Sequence, residues 1–182
     1  MNFKLLFIAL LLLNSSAFSQ TDQFQAGKAI PEYGKIATVN GMEPLPENAR
    51  FKVSFDLAKP SKVGEVNRSI DSLARFINMH AASGVKAENI NLAVVIHGGA
   101  VNDVTENAFY TVKNGNVNKI KNSNRNLIQV LLKQGVTFYV CGQSAAYYGV
   151  KYKDLLPGVK MSLSAMTAHA LLQQQGYTLN PF

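Results

Sequence analysis

The chain holds a single cysteine, Cys141, within Val136-Thr-Phe-Tyr-Val-Cys-Gly-Gln-Ser-Ala145. Chemistry at that position would be nucleophilic, because the thiolate is the attacking form of cysteine. Val136 to Val140 is a short apolar run of β-branched and aromatic residues behind Gly135, the pattern of a buried strand. Gly142 then permits a sharp turn, and Gln143 to Tyr148 can open a helix. A sulfur at the carboxyl end of a strand lies where ligands sit in open α/β sheets. A helix N-terminus beside it lowers its pKa. The same place also suits a buried cysteine packed as a small hydrophobe, and these residues leave both readings open.

A partner for the thiol is available in His97, which follows the apolar run Leu92 to Ile96 and opens His97-Gly-Gly-Ala100. An imidazole there stands at a sheet edge with the backbone of Gly98 and Gly99 open beside it, and a Cys–His pair is one route to an activated thiolate. The candidate site is therefore Cys141 and His97 for chemistry, with Gly98, Gly99, Gly142, Gln143, Ser144 and Ser164 around a substrate. Asp56 and Ser164 each follow a strand and read first as turn or cap residues. His80 and His169 fall in helical segments and read as surface or packing residues. No two histidines have zinc-site spacing, so no metal is expected; a site using Cys141 and His97 would need further ligands that the sequence does not identify. Gly98-Gly99 is too short for a P-loop and no Gly-Lys-Ser/Thr follows it. Gly-x-Ser-x-Gly is also missing, which argues against a serine hydrolase. No cofactor is expected.

The elements that must carry these residues alternate. Phe51 to Phe55, Leu92 to Ile96, Val136 to Val140, Val159 to Leu163 and Tyr177 to Leu179 read as strands. Between them, Val66, Ile70, Leu73, Ala74, Ile77 and Ala81 form one helical stripe ended by Gly84. A short helix is expected within Asn102 to Val112. Another runs from a cap at Ser123 or Asn124 through Leu132, and a last one from Ala165 to Gln175 behind Ser164. Strands alternating with helices predict an α/β fold, a mostly parallel sheet of about five strands sandwiched between helices.

Ahead of this domain, Lys4, the apolar run Leu5 to Leu13 and Ala17-Phe-Ser19 have the form of a secretory signal peptide, so residues 1–19 are expected to be removed and the protein exported, to the periplasm or outside. No cysteine follows the apolar run to carry a lipid anchor. The run is too short for a membrane span, and no stable membrane insertion is expected. Residues 20–48 form an arm in which Gly27, Gly34 and Gly41 alternate with Pro31, Pro44 and Pro46. Tyr33, Ile36 and Val39 are its expected anchors, and a disordered leader is the alternative for its first half. Residues 49–182 make the domain. A lone cysteine forms no intrachain disulfide, so stability must come from a packed core.

The formal net charge is +7. Lys113, Lys119, Lys121, Arg125, Lys133, Lys151 and Lys153 lie between Glu106 and Asp154 with no acidic residue among them. Such a stretch can draw in a small anion or be an ordinary solvated face. It carries no nucleic-acid motif, and no nucleic-acid partner is expected.

Phe51-Lys-Val-Ser-Phe-Asp56, Leu73-Ala-Arg-Phe-Ile-Asn78, Val94-Val-Ile-His-Gly98, Gly135 to Ser144, Gly158 to Thr167 and Gln175-Gly-Tyr177 occur in this order. Together they resemble the DsrE family of sulfur-relay-like proteins, and the arm resembles that of its exported members. The resemblance covers essentially all of the chain after Arg50. It implies a three-layer sandwich and a homo-oligomer, a trimer or hexamer. It also implies a sulfane sulfur carried as a persulfide on a cysteine near the end of a central strand, the position of Cys141, with a small sulfur donor as partner. His97 matches the histidine of the subgroup that contains His-Gly. Two functions follow as expectations: a thiol-based sulfur carrier or sulfurtransferase-like protein, or a non-catalytic module that binds a small anion or supports assembly and keeps Cys141 as a structural residue.

Overall fold

The computed structural model describes residues 23–115 and 120–180. The expected signal peptide lies outside the described residues, as does Lys119. Five strands form one sheet: β1 (Phe51–Leu57), β2 (Ile90–Ile96), β3 (Thr137–Cys141), β4 (Lys160–Ser162) and β5 (Thr178–Asn180), in the order β4-β3-β2-β1-β5. Every pairing is parallel, so all five carboxyl ends share one rim, with β2 central and β3 beside it. The helices are α1 (Arg68–Ala82), α2 (Asn107–Lys113), α3 (Arg125–Lys133), α4 (Gly142–Tyr148) and α5 (Ala165–Gln174). They lie on both sides of the sheet, as the alternation of elements predicts.

The two faces are unequal. On one face Val53, Phe55, Leu57, Leu92, Val94, Ile96, Phe138 and Val140 meet Ile70, Leu73, Ala74 and Ile77 of α1 and Leu127, Ile128 and Leu131 of α3 in the main core. On the other face, Ala93 and Val95 meet Ala168 and Leu172 of α5, with Tyr139, Ala165 and Tyr177 at the margin. Period-two alternation explains the split, since successive strand residues point to opposite faces. The same alternation assigns Asp56, His97 and Cys141 to the thinner, α5 side.

Three local readings change. β1 continues through Asp56 to Leu57, so Asp56 is a strand residue and not a turn residue after it. The helix expected within Asn102 to Val112 divides, with a 3-10 helix over Gly98–Val104 and α2 after it. Within the 3-10 segment the buried Asp103 carboxylate accepts from the Ser61 amide at 2.8 Å, the Ser61 hydroxyl at 2.9 Å and the Asn67 side chain at 2.7 Å. Asn124 stands at the start of α3 without capping it through its side chain. Its Oδ1 instead accepts from the Asn67 amide at 2.6 Å, tying α3 to the start of α1.

The arm is held mainly by one buried side chain, Asn78 of α1. Its Oδ1 accepts from the Ile30 amide at 2.8 Å, and its Nδ2 donates to the carbonyls of Ile30, Tyr33 and Gly34 at 2.9–3.0 Å. Gly34 has φ +61°, and a Cβ there would sit 2.2 Å from the Arg75 amide, so only glycine fits this approach to α1. Ile30 is the buried anchor of the arm, Tyr33 packs partly against the core, and Val39 is exposed. Gln25 and Ile36 exchange backbone hydrogen bonds, which closes the first half of the arm on itself.

Candidate functional site

Cys141 is the last residue of β3 and also the residue that caps α4. Its Sγ accepts from the Ser144 amide at 3.5 Å, the ordinary geometry of an N-cap with sulfur in place of oxygen. The side chain is 5% exposed. Burial pushes the thiol up, but hydrogen bonds from the Ser144 hydroxyl and from the amides of Ser144, Ala165 and Gln143 outweigh it and hold the Cys141 pKa below that of an ordinary thiol. Two helices thus supply the stabilising dipoles: α4 through Gln143 and Ser144, and α5 through Ala165, its first residue.

Gly142 makes this double contact possible. A Cβ at position 142 would stand 2.7 Å from the Ser162 carbonyl and 3.2 Å from that of Leu163, so α4 can start against the end of β4 only with glycine there. Gln143 strengthens the junction by donating from Nε2 to the Leu163 carbonyl at 3.2 Å. Ser144 links the thiol to the His-Gly-Gly turn, because its hydroxyl oxygen accepts from the Gly98 amide at 3.0 Å. Ser164 caps α5, its Oγ accepting from the Thr167 amide at 3.0 Å and pairing with the Thr167 hydroxyl at 2.9 Å. Gly99 lies further along the turn, against Pro60 and the Tyr148 hydroxyl.

His97 follows β2. Ile96 and Val140 are the last pair in the register of β2 with β3, so His97 leaves the sheet at the same rim on which β3 ends at Cys141. The imidazole nevertheless binds elsewhere. Its Nε2 lies 3.1 and 3.0 Å from the two oxygens of Asp56. His169 of α5 reaches the same carboxylate, with Nε2 2.8 Å from Asp56 Oδ1. Burial raises the Asp56 pKa, but hydrogen bonds from His97 and His169, and their charges when protonated, outweigh it and place the carboxyl below the usual aspartate range. Among the described residues, the partners of the thiol do not include His97.

The sequence places Asp56, His97, Cys141 and Ser164 on one rim, and the parallel sheet puts the ends of β1 to β4 there. It reads Asp56 first as a turn residue and His169 as a surface or packing residue. A signal was present for each. Asp56 is in phase with Lys52 and Ser54, facing away from the main core. His169 lies with Ala165, Ala168 and Leu172 at helical spacing, on the stripe that α5 turns to the sheet. His80, by contrast, is a packing residue, stacked on Phe76 with ring centroids 3.9 Å apart.

Two cations of the basic stretch have partners. Arg125 pairs with Glu106, and Lys113 donates to the Tyr148 carbonyl at 3.2 Å. Among the described residues, no group of three or more His, Cys, Asp or Glu side chains is arranged to hold a metal ion, and no helix is long and apolar enough to cross a membrane.

Comparison with known proteins agrees with this architecture. A solved structure of a protein of unknown function from Methanobacterium thermoautotrophicum superimposes with a TM-score of 0.51 at 19% sequence identity, covering 72% of this chain and 99% of that one. At that identity the likeness is one of fold. No curated protein matches the chain. The sequence pattern of the DsrE/DsrF-like family matches residues 62–181, a span that includes β2, β3, the thiol and both histidines of the rim. The chain belongs to the DsrE/DsrF-like family.

Proposed function

We propose that the protein is a thiol-based carrier of sulfane sulfur, exported and assembled as a homo-oligomer, with Cys141 as the sulfur acceptor. The observation that carries this reading is the setting of the thiol: a cysteine in the N-cap place of α4, under the first amide of α5, with its pKa held below the ordinary value despite burial. A cysteine kept only for packing has no need of a lowered pKa, whereas a nucleophile depends on its thiolate. In the proposed reaction the Cys141 thiolate attacks a sulfur of a small polysulfide. The donor's sulfur–sulfur bond breaks, a Cys141 persulfide forms, and the departing hydrosulfide or shortened polysulfide keeps the electron pair.

The test is accurate-mass analysis of the folded protein after treatment with polysulfide. One sulfur atom should be added, a reductant should remove it, and Cys141→Ser should prevent it. Accurate mass separates sulfur from oxygen addition, the competing fate of a thiolate in an oxidising compartment. The low exposure of Cys141 favours the second reading, a binding or assembly module with a structural cysteine. That reading takes over if the native protein stays unmodified while the denatured protein reacts readily.

A further inference from the structure

Away from the thiol, the arm and α1 enclose a groove of about 460 Å³. α1 starts at the carboxyl rim of the sheet, after β1, and runs back toward the opposite rim. A groove against its last turn therefore lies at the end of the molecule away from Cys141. One wall is Met79 and His80 of α1, and the other is Ile36, Val39, Met42 and Leu45 of the arm. The arm is fixed where it enters: Asp71 accepts from the Gly34 amide at 2.8 Å, and Arg75 Nε donates to the Lys35 carbonyl at 3.0 Å. The chain then turns at Gly41, φ +72°, on its way to β1.

Two properties of the walls define an occupant. The first is the lack of charge. No Asp, Glu, Lys or Arg stands among the described residues that line the groove, in a chain of net charge +7. Val39, Met42 and Met79 are all exposed there, and methionine adapts its shape to apolar contacts. Both volume and lining are those of a small-molecule pocket.

The second is one oriented acceptor. His80 Nδ1 lies 2.7 Å from the Phe76 carbonyl. A carbonyl only accepts, so Nδ1 carries the proton and the neutral ring keeps its lone pair on Nε2. The ring is stacked on Phe76 with centroids 3.9 Å apart and packs against Phe51 at 4.2 Å. Among the described residues Nε2 has no hydrogen-bond partner, and it is not one of their buried unpartnered atoms. The Nε2 edge is thus what His80 gives to the groove. Of the other polar side chains there, Ser83 already donates its hydroxyl to the Met79 carbonyl at 3.0 Å, and Thr38 is exposed to water.

We propose that this groove binds an uncharged apolar molecule with one terminal hydroxyl, in its simplest form a medium-chain alcohol. The hydrocarbon lies along Ile36, Val39, Met42 and Met79, and the hydroxyl donates to His80 Nε2. A carboxylate is disfavoured twice, because the walls offer no counter-charge and Nε2 would meet it acceptor to acceptor. The site is independent of the carrier reading and stands or falls without it.

The experiment is calorimetric titration of the folded protein at pH 8 with n-octanol, with octyl methyl ether, which keeps the chain and lacks the donor, and with octanoate. Octanol should bind about tenfold more tightly than the ether, the worth of one hydrogen bond, and octanoate least of the three. His80→Phe keeps the ring stack and removes Nε2, so it should bring octanol down to the level of the ether and leave the ether unchanged. Met79→Glu, at an exposed helix position, should abolish binding of both. Octanol and ether binding alike to wild type overturns the proposal, whether or not His80→Phe folds. So does an equal loss of both in folded His80→Phe, or octanol binding that survives Met79→Glu. A wild-type protein that takes no octanol overturns it too, and if Met79→Glu then lowers the mass found by light scattering, a second copy covers the groove instead.

Discussion

Ser144 does two things with one side chain: its oxygen accepts from the Gly98 amide, and its hydroxyl helps to hold the Cys141 pKa down. Ser144→Ala keeps the backbone cap and removes the hydroxyl. Burial, the opposing influence, then weighs more heavily, so the thiol pKa should rise and alkylation near neutral pH should slow by up to about tenfold. Stability should follow with a definite sign. A thiol whose pKa is lower in the folded protein contributes stability that is present above the unfolded value, about 8.5, and is lost as pH falls through the folded value. Denaturant titrations should therefore find Ser144→Ala more costly at pH 9 than at pH 6. An equal cost at both would mean that the hydroxyl serves only the Gly98 amide.

At the scale of elements, the buried strands were legible because continuous apolar runs such as Leu92 to Ile96 have no other stable home. The position of the thiol at the end of β3 was legible for the same reason. What was hidden depended on pairing across the chain. Asp56 and His169 are 113 residues apart in sequence, and nothing local states that β1 and α5 meet at one edge. Asn78 was hidden in another way. It occupies the buried side of a helix, where composition alone suggests a surface residue, and its partners lie 44 to 48 residues earlier in the arm. Asn78→Ala would free the Ile30 amide and three carbonyls, and the arm can recover them only by lifting into water. We expect a loss of about 2–3 kcal/mol in unfolding free energy, together with faster proteolysis between Gly27 and Lys35. Unchanged protection there would show that Ile30 burial alone holds the arm.

For the whole molecule, the unequal coverage of the sheet is the governing fact. α1 and α3 fill one face, while the other has mainly α5 and a core of small residues. On that side, around the start of α5, Leu163 is 72% exposed and Met166 is 81% exposed, directly flanking the helix cap that serves the thiol. Single exposed apolar residues need no explanation, but two large ones beside a half-covered sheet face are a candidate edge for a subunit interface. A second copy is the occupant that the expected trimer or hexamer would supply. Covering this edge would also decide how a sulfur donor reaches Cys141, because Leu163 gives its carbonyl to Gln143 and approaches Gly142. Light scattering of the mature protein should find an assembly larger than a monomer. Leu163→Asp with Met166→Asp should reduce it toward monomer with little loss of fold, since both side chains are exposed in the single chain. The rate of Cys141 alkylation should change along with the assembly, because the thiol lies behind the same cap. A wild-type protein that is monomeric at micromolar concentration, or a double variant that assembles as before, would remove this edge from the interface and leave its exposure a property of the isolated subunit.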